Sequence, residues 1–148
     1  MRQMDKLQIL DDWFQRVWIG GAYAEIGSFY TEDFLASGVM PGLELRPTDF
    51  AELIPALKEM ISEPSVTYLR HFENDEWLWT LMLIRGRAAE THAPLELTAQ
   101  IALRFEGDKI AEAHNHFDVL AFLEGVGMLP PDTLAPLSGR HLQMRVLD

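Results

Sequence analysis

The sequence predicts an α+β domain in which a cone-shaped, curved antiparallel sheet wraps on N-terminal helices. Three observations lead there. Apolar residues recur at helical spacing through the first sixty positions. Long apolar or alternating runs, separated by short turn signals, fill the second half. Helices first and a strand meander afterwards give segregated layers. The 148 residues, 48% hydrophobic and 24% charged, suit one domain over 1–148 with its own core.

The elements follow in order. Leu7, Leu10, Phe14, Val17 and Trp18 mark one face of a helix from about Asp5 to Ile19, ended by Gly20 and Gly21. A shorter helix covers Ala22 to Phe29. Thr31 to Val39 leads into a first short strand anchored by Phe34 and Leu35, and Pro41-Gly42 turns the chain. Thr48 is the expected N-cap of a helix striped by Phe50, Leu53, Leu57, Met60 and Ile61, with Asp49 at its positive end. Pro55 should kink or shorten that helix and Pro64 should stop it.

Strand-like runs then cover Val66–Phe72, Trp77–Ala89, Leu95–Phe105 and Lys109–Phe117. Asn74-Asp75, His92-Ala93-Pro94 and Glu106-Gly107-Asp108 separate them. Runs of this length must coil or bulge, and Gly86 is a natural bend. Val119 to Val126 reads as a short helix ended by Gly127, and 130–148 as an irregular tail. Helices filling the concave side of such a sheet leave a small-molecule pocket at the wide end of the cone.

Composition excludes several function classes. Twenty-three acidic against twelve basic residues give a formal charge of −11, which repels nucleic acid and anionic membranes. With no cysteine, disulfides, thiol catalysis and cysteine-ligated metals are ruled out. No signal-peptide pattern and no run near the roughly 20 apolar residues of a spanning helix is present, so a cytoplasmic location is expected. Neither a serine-histidine-aspartate order nor a phosphate-cradling glycine loop is visible.

The stretch GDKIAEAHNHFDVLAFLEGVGMLP resembles the last strand and helix of the SnoaL-like group of the nuclear-transport-factor-two-like superfamily. The matching features are the Gly107-to-Ile110 turn, an aromatic residue before Asp118, and the leucine-rich helix Val119–Gly127. The order of N-terminal elements is also similar, so the likeness spans most of residues 5–130. His114, followed by His116, stands where the family usually has a tryptophan. The resemblance implies a cone-shaped α+β barrel, often dimeric through its outer sheet face. It further implies polyketide cyclisation, ketosteroid-type isomerisation or epoxide hydrolysis, although many relatives only bind ligands.

Strand alternation puts Ile110, Glu112, His114, His116 and Asp118 on one face if no bulge intervenes. Facing the cavity, they would line one wall with two imidazoles and two carboxylates, the means for proton transfer beside a carbonyl. A carboxylate in an apolar cone is also pushed toward its protonated form. The expected catalytic set is therefore Asp118 with His114 and His116, acting on an apolar carbonyl compound without cofactor or metal. The alternative role of Asp118 is to cap the helix that follows it.

Substrate contacts are expected from Trp13, Phe14, Tyr30, Trp79, Gln100 and Glu112, although Trp13 and Trp18 read first as core. A metal on His114 and His116, completed by Asp118, Glu112, His92 or His71, is the competing reading. A non-catalytic ligand-binding or dimerisation module is the other. Both faces of the Trp77-to-Ile84 run are apolar and helices can cover only one, so a homodimer is expected.

Overall fold

The computed structural model describes residues 5–39, 42–131 and 133. Of the predicted tail 130–148, only Pro130, Pro131 and Thr133 are described, so the expectation that it is irregular falls outside the described residues.

Asp5 caps α1 (Lys6–Trp13) by accepting a hydrogen bond from the Leu7 N–H. The predicted helix does not continue in α form. It widens into a π-helical turn over Phe14–Ile19, closed by Gly20 and Gly21. Such turns insert extra backbone per turn and rotate the residues that follow. A 3₁₀ segment (Tyr23–Phe29) leads into β1 (Tyr30–Ser37), and β2 (Glu44–Leu45) pairs back on it.

Helix α2 (Pro47–Lys58) starts two residues earlier than predicted. Arg46, not Thr48, is its N-cap, and the Asp49 carboxylate accepts the Arg46 N–H at 2.7 Å. Pro47 at the first helical position explains the shift, since its missing N–H is not needed there. Pro55 lies inside the helix without ending it. Ile61 opens β3 (Ile61–Glu73) instead of closing the helix, and Pro64 falls inside that strand. It is tolerated because the register with β4 slips between Ser62 and Ser65, a bulge on an edge strand.

The meander β4 (Trp77–Ala88), β5 (Pro94–Glu106) and β6 (Lys109–Phe117) matches the predicted runs closely. Gly86 is where β3 crowds β4: a Cβ there would lie 2.8 Å from Ile61 Cγ2 and 3.0 Å from the Ser62 carbonyl. The chain then enters α3 (Val119–Gly125), capped by Asp118, whose carboxylate accepts the Ala121 N–H at 3.0 Å.

The six strands run in the order β2-β1-β6-β5-β4-β3. All pairs are antiparallel except β1 with β6, which is parallel. The end strands β2 and β3 do not pair, so the sheet is curved but open, a correction to the closed barrel the resemblance implies. β2 has only two residues and offers too few backbone groups to zip onto another edge.

The concave face presents Leu78 and Met82 from β4, Ala99, Ile101, Leu103 and Phe105 from β5, and Ala113 from β6. Against it pack Ile9, Leu10, Trp13, Phe14 and Val17 from the N-terminal segment, with Phe50 and Ile54 from α2. A smaller cluster joins Leu95 and Leu97 to Phe122 of α3.

Candidate functional sites on two sheet faces

The register of β6 decides which predicted residues can meet a ligand in the cone. Between the pairs Arg104↔Glu112 and Phe105↔Ile110 one residue, Ala111, is extra. Ile110 and Ala111 are both buried, and every position after the bulge changes face. Ala113, Asn115 and Phe117 consequently join the concave side, opposite Leu103, Ile101 and Ala99. Glu112, His114 and His116 lie on the convex face, opposite Arg104, Ala102 and Gln100.

The expected cavity wall of two imidazoles and two carboxylates is therefore not assembled in the cone. Asp118 is exposed and engaged as the α3 cap. Gln100 is exposed on the convex face, and Trp79 stacks on Phe72 there with ring centroids 5.5 Å apart. Of the expected substrate contacts, Trp13, Phe14 and Tyr30 point into the interior. No group of three or more metal-ligating side chains stands together among the described residues.

The interior is aromatic. Tyr30 stacks on Phe34 at 3.9 Å and faces Phe50 at 6.2 Å, while Trp13 meets Phe14, Trp18 and Phe50 edge-on at 5.1 to 6.2 Å. Two indole nitrogens, Trp13 Nε1 and Trp18 Nε1, are buried without a hydrogen-bond partner of good geometry among the described residues. Burial pushes the Tyr30 phenol above its usual range, partly offset by the neighbouring Trp13 indole. At the side of the cone, Tyr68 of β3 donates to Asp11 Oδ1 of α1 at 2.9 Å. Burial, then the Asp11 and Asp12 carboxylates, push the Tyr68 phenol up, so it stays a proton donor. Neither Tyr68 nor Asp11 was singled out in the sequence. Tyr68 sits in an alternating strand, but the helix partner that polarises it is 57 residues away.

The convex face holds a continuous polar chain. Ser37 Oγ is 3.0 Å from His114 Nδ1, and His114 Nε2 is 2.8 Å from Glu112 Oε2. The other Glu112 oxygen accepts from Arg104 Nε at 2.6 Å, and Arg104 Nη1 reaches Glu106 at 3.1 Å. Arg104, then His114, holds the Glu112 carboxyl below its usual range. Trp77 stacks over the His114 ring at 6.1 Å. Toward β3 the same face is apolar, carrying Trp79, Leu81, Leu83 and Phe72, and none of the described helices covers it.

Apart from both faces, an open groove of about 620 Å³ lies between the β4–β5 loop and the end of α3. Glu124, one of its lining residues, has an oxygen without a partner among the described residues.

No protein-family model matches the sequence. No curated protein matches it either. Solved structures do. A protein from Catenulispora acidiphila with a ketosteroid isomerase-like fold, in complex with trimethylamine, superposes with a TM-score of 0.70 at 17% identity. That match covers 86% of this chain and 98% of the other. A protein from Jannaschia assigned as a SnoaL-like polyketide cyclase gives 0.71 at 10% identity, over 86% and 95% of the two chains. AclR from Streptomyces galilaeus, assigned as a hydroxylase, gives 0.71 at 12% identity, over 90% and 91%.

The chain has the SnoaL-like, ketosteroid-isomerase-like fold. At these identities the likeness speaks for architecture, and the assigned activities differ among the matching proteins.

Proposed function

We propose that this SnoaL-like chain binds a small, largely apolar carbonyl compound in the cone and carries out acid–base isomerase or cyclase chemistry on it. The observation that carries the reading is the Trp18 indole N–H, buried beside the aromatic interior with no hydrogen-bond partner among the described residues. A buried donor without a partner is costly, and a ligand oxygen removes that cost. An apolar body with one acceptor oxygen fits the aromatic lining and this donor together.

The same enclosure suits enolate chemistry. Neutral donors can stabilise charge developing on a carbonyl oxygen, and they act most strongly where water is excluded. Asp11 is the proton-handling group at the side of this interior, its carboxylate acting as base and held in place by the hydrogen bond that the Tyr68 phenol donates to it. Asp118 supports the second reading, ligand binding without turnover, because its carboxylate is engaged in capping α3.

The test compares two probes of nearly equal shape, fluorenone and its hydrocarbon fluorene, by equilibrium dialysis. Fluorenone should bind roughly tenfold tighter, the worth of one hydrogen bond to an otherwise orphaned donor. Trp18→Phe should erase that preference while leaving fluorene binding in place. Equal affinity of the two probes in the unaltered protein would refute the carbonyl-reading role.

A further inference from the structure

We infer that Ser37 on the convex sheet face is an activated nucleophile able to take an acyl group from small apolar esters. The site stands apart from the cone and does not rest on the carbonyl-binding reading. Three side chains from neighbouring strands form a nucleophile, a base and an orienting acid in hydrogen-bond sequence.

Each link follows from the fold. Ser37 is the last residue of β1 and pairs in register with His114 of β6. Its position is fixed twice more: the Asn115 amide donates to the Ser37 carbonyl at 3.0 Å, and Gly38 packs directly on the Asn115 carbonyl. Glu112 lies two residues before His114 and shares its face, so its carboxylate reaches Nε2 at 2.8 Å. A carboxylate at Nε2 holds the proton on that nitrogen and leaves Nδ1 as an acceptor for the Ser37 hydroxyl. Arg104 occupies the second carboxylate oxygen, keeping Glu112 ionised and its geometry single. Trp77 over the imidazole and the exposed Leu35, two residues before Ser37, offer apolar walls for an acyl chain.

The chemistry balances without a cofactor. Ser37 Oγ attacks the ester carbonyl carbon while its proton passes to His114 Nδ1. The bond from the carbonyl carbon to the alkoxy oxygen then breaks, and the alcohol leaves with that proton. Water attacks the acyl-serine, His114 takes the water's proton and returns it to Ser37, and the carboxylic acid departs. The face is electrically mixed, Arg104 set against Glu106 and Glu112, so neutral esters are the fitting class.

The experiment treats the full-length protein with an alkyl fluorophosphonate and locates the adduct by peptide mass spectrometry. Ser37 should be phosphonylated at least tenfold faster than the exposed Ser28 and Ser65. The His114→Gln variant, its urea midpoint checked for folding, should label about a hundredfold more slowly, the usual scale of general-base assistance. p-Nitrophenyl butyrate should give a burst of nitrophenol equal to the labelled fraction, absent in Ser37→Ala. Labelling no faster than at Ser28, or unchanged in His114→Gln, overturns the proposal. So does a stable dimer by sedimentation equilibrium in which Ser37 stays unlabelled, an outcome that would assign this face to a second copy of the chain.

Discussion

Gly38 should be the least replaceable glycine among those with left-handed backbone. Its φ is +80°, and a Cβ built there would penetrate the van der Waals envelope of the Asn115 carbonyl oxygen. Gly107 has a similar φ of +62° but nothing within 4 Å of its would-be Cβ. Alanine at Gly107 therefore carries only the conformational penalty, about 1–2 kcal/mol. Alanine at Gly38 carries that penalty and must also push β1 away from β6. This movement loosens the Ser37↔His114 pairing and the Asn115-to-Ser37 hydrogen bond, worth about 1 kcal/mol each. The sum is roughly 3–4 kcal/mol. With a urea slope of about 2 kcal/mol/M, Gly107→Ala should lower the midpoint by about 0.5–1 M and Gly38→Ala by nearly 2 M. Tryptophan fluorescence during urea unfolding measures both. Equal midpoints for the two variants would refute the close-approach argument.

Two further predictions concern single side chains. Asp118→Ala should cost about 1 kcal/mol by uncapping α3, while Asp118→Asn should be nearly neutral because asparagine caps equally well; if the two substitutions destabilise equally, capping is not the role of Asp118. Burial keeps the Tyr30 and Tyr68 phenols protonated in the folded chain beyond their ordinary range, whereas unfolded phenols ionise near pH 10. The stabilisation is whole below that pH and is lost as pH rises above it, so urea midpoints should fall between pH 9 and 11. Tyr68→Phe should fall less steeply, and an unchanged slope would contradict the burial of that hydroxyl.

Much of the fold was readable because its signals are local. The three meander strands end within one residue of their predicted limits, since each limit is set by turn chemistry at Asn74-Asp75, His92-Ala93 or Gly107. The double signal of Asp118 was also local: an aspartate just before an apolar helix caps it. The misplaced features depend on contacts far apart in sequence. Pro64 looks like a stop in one dimension and is a tolerated bulge on an edge strand in three. The change from α to π winding after Trp13 leaves no mark in the apolar spacing, yet it belongs to the segment that sets Trp18 against Trp13.

One residue divides the site. Side chains alternate with a period of two, so a single inserted residue exchanges the faces of everything downstream. Ala111 is that residue, and alanine can fill it because two consecutive small or apolar side chains, Ile110 and Ala111, fit the same buried layer. Without the bulge, His114 and Glu112 would enter the cone as the sequence suggests. With it, the cone receives Ala113, Asn115 and Phe117 and stays lined by aromatic rings, with the Trp18 indole N–H unpaired among the described residues. The ionisable residues of β6 are delivered instead to the opposite face, where Arg104 and Ser37 await them in register. The same alternation that misassigns the wall of the cone thus explains why β6 carries two chemically distinct faces, mostly apolar within and ionisable without.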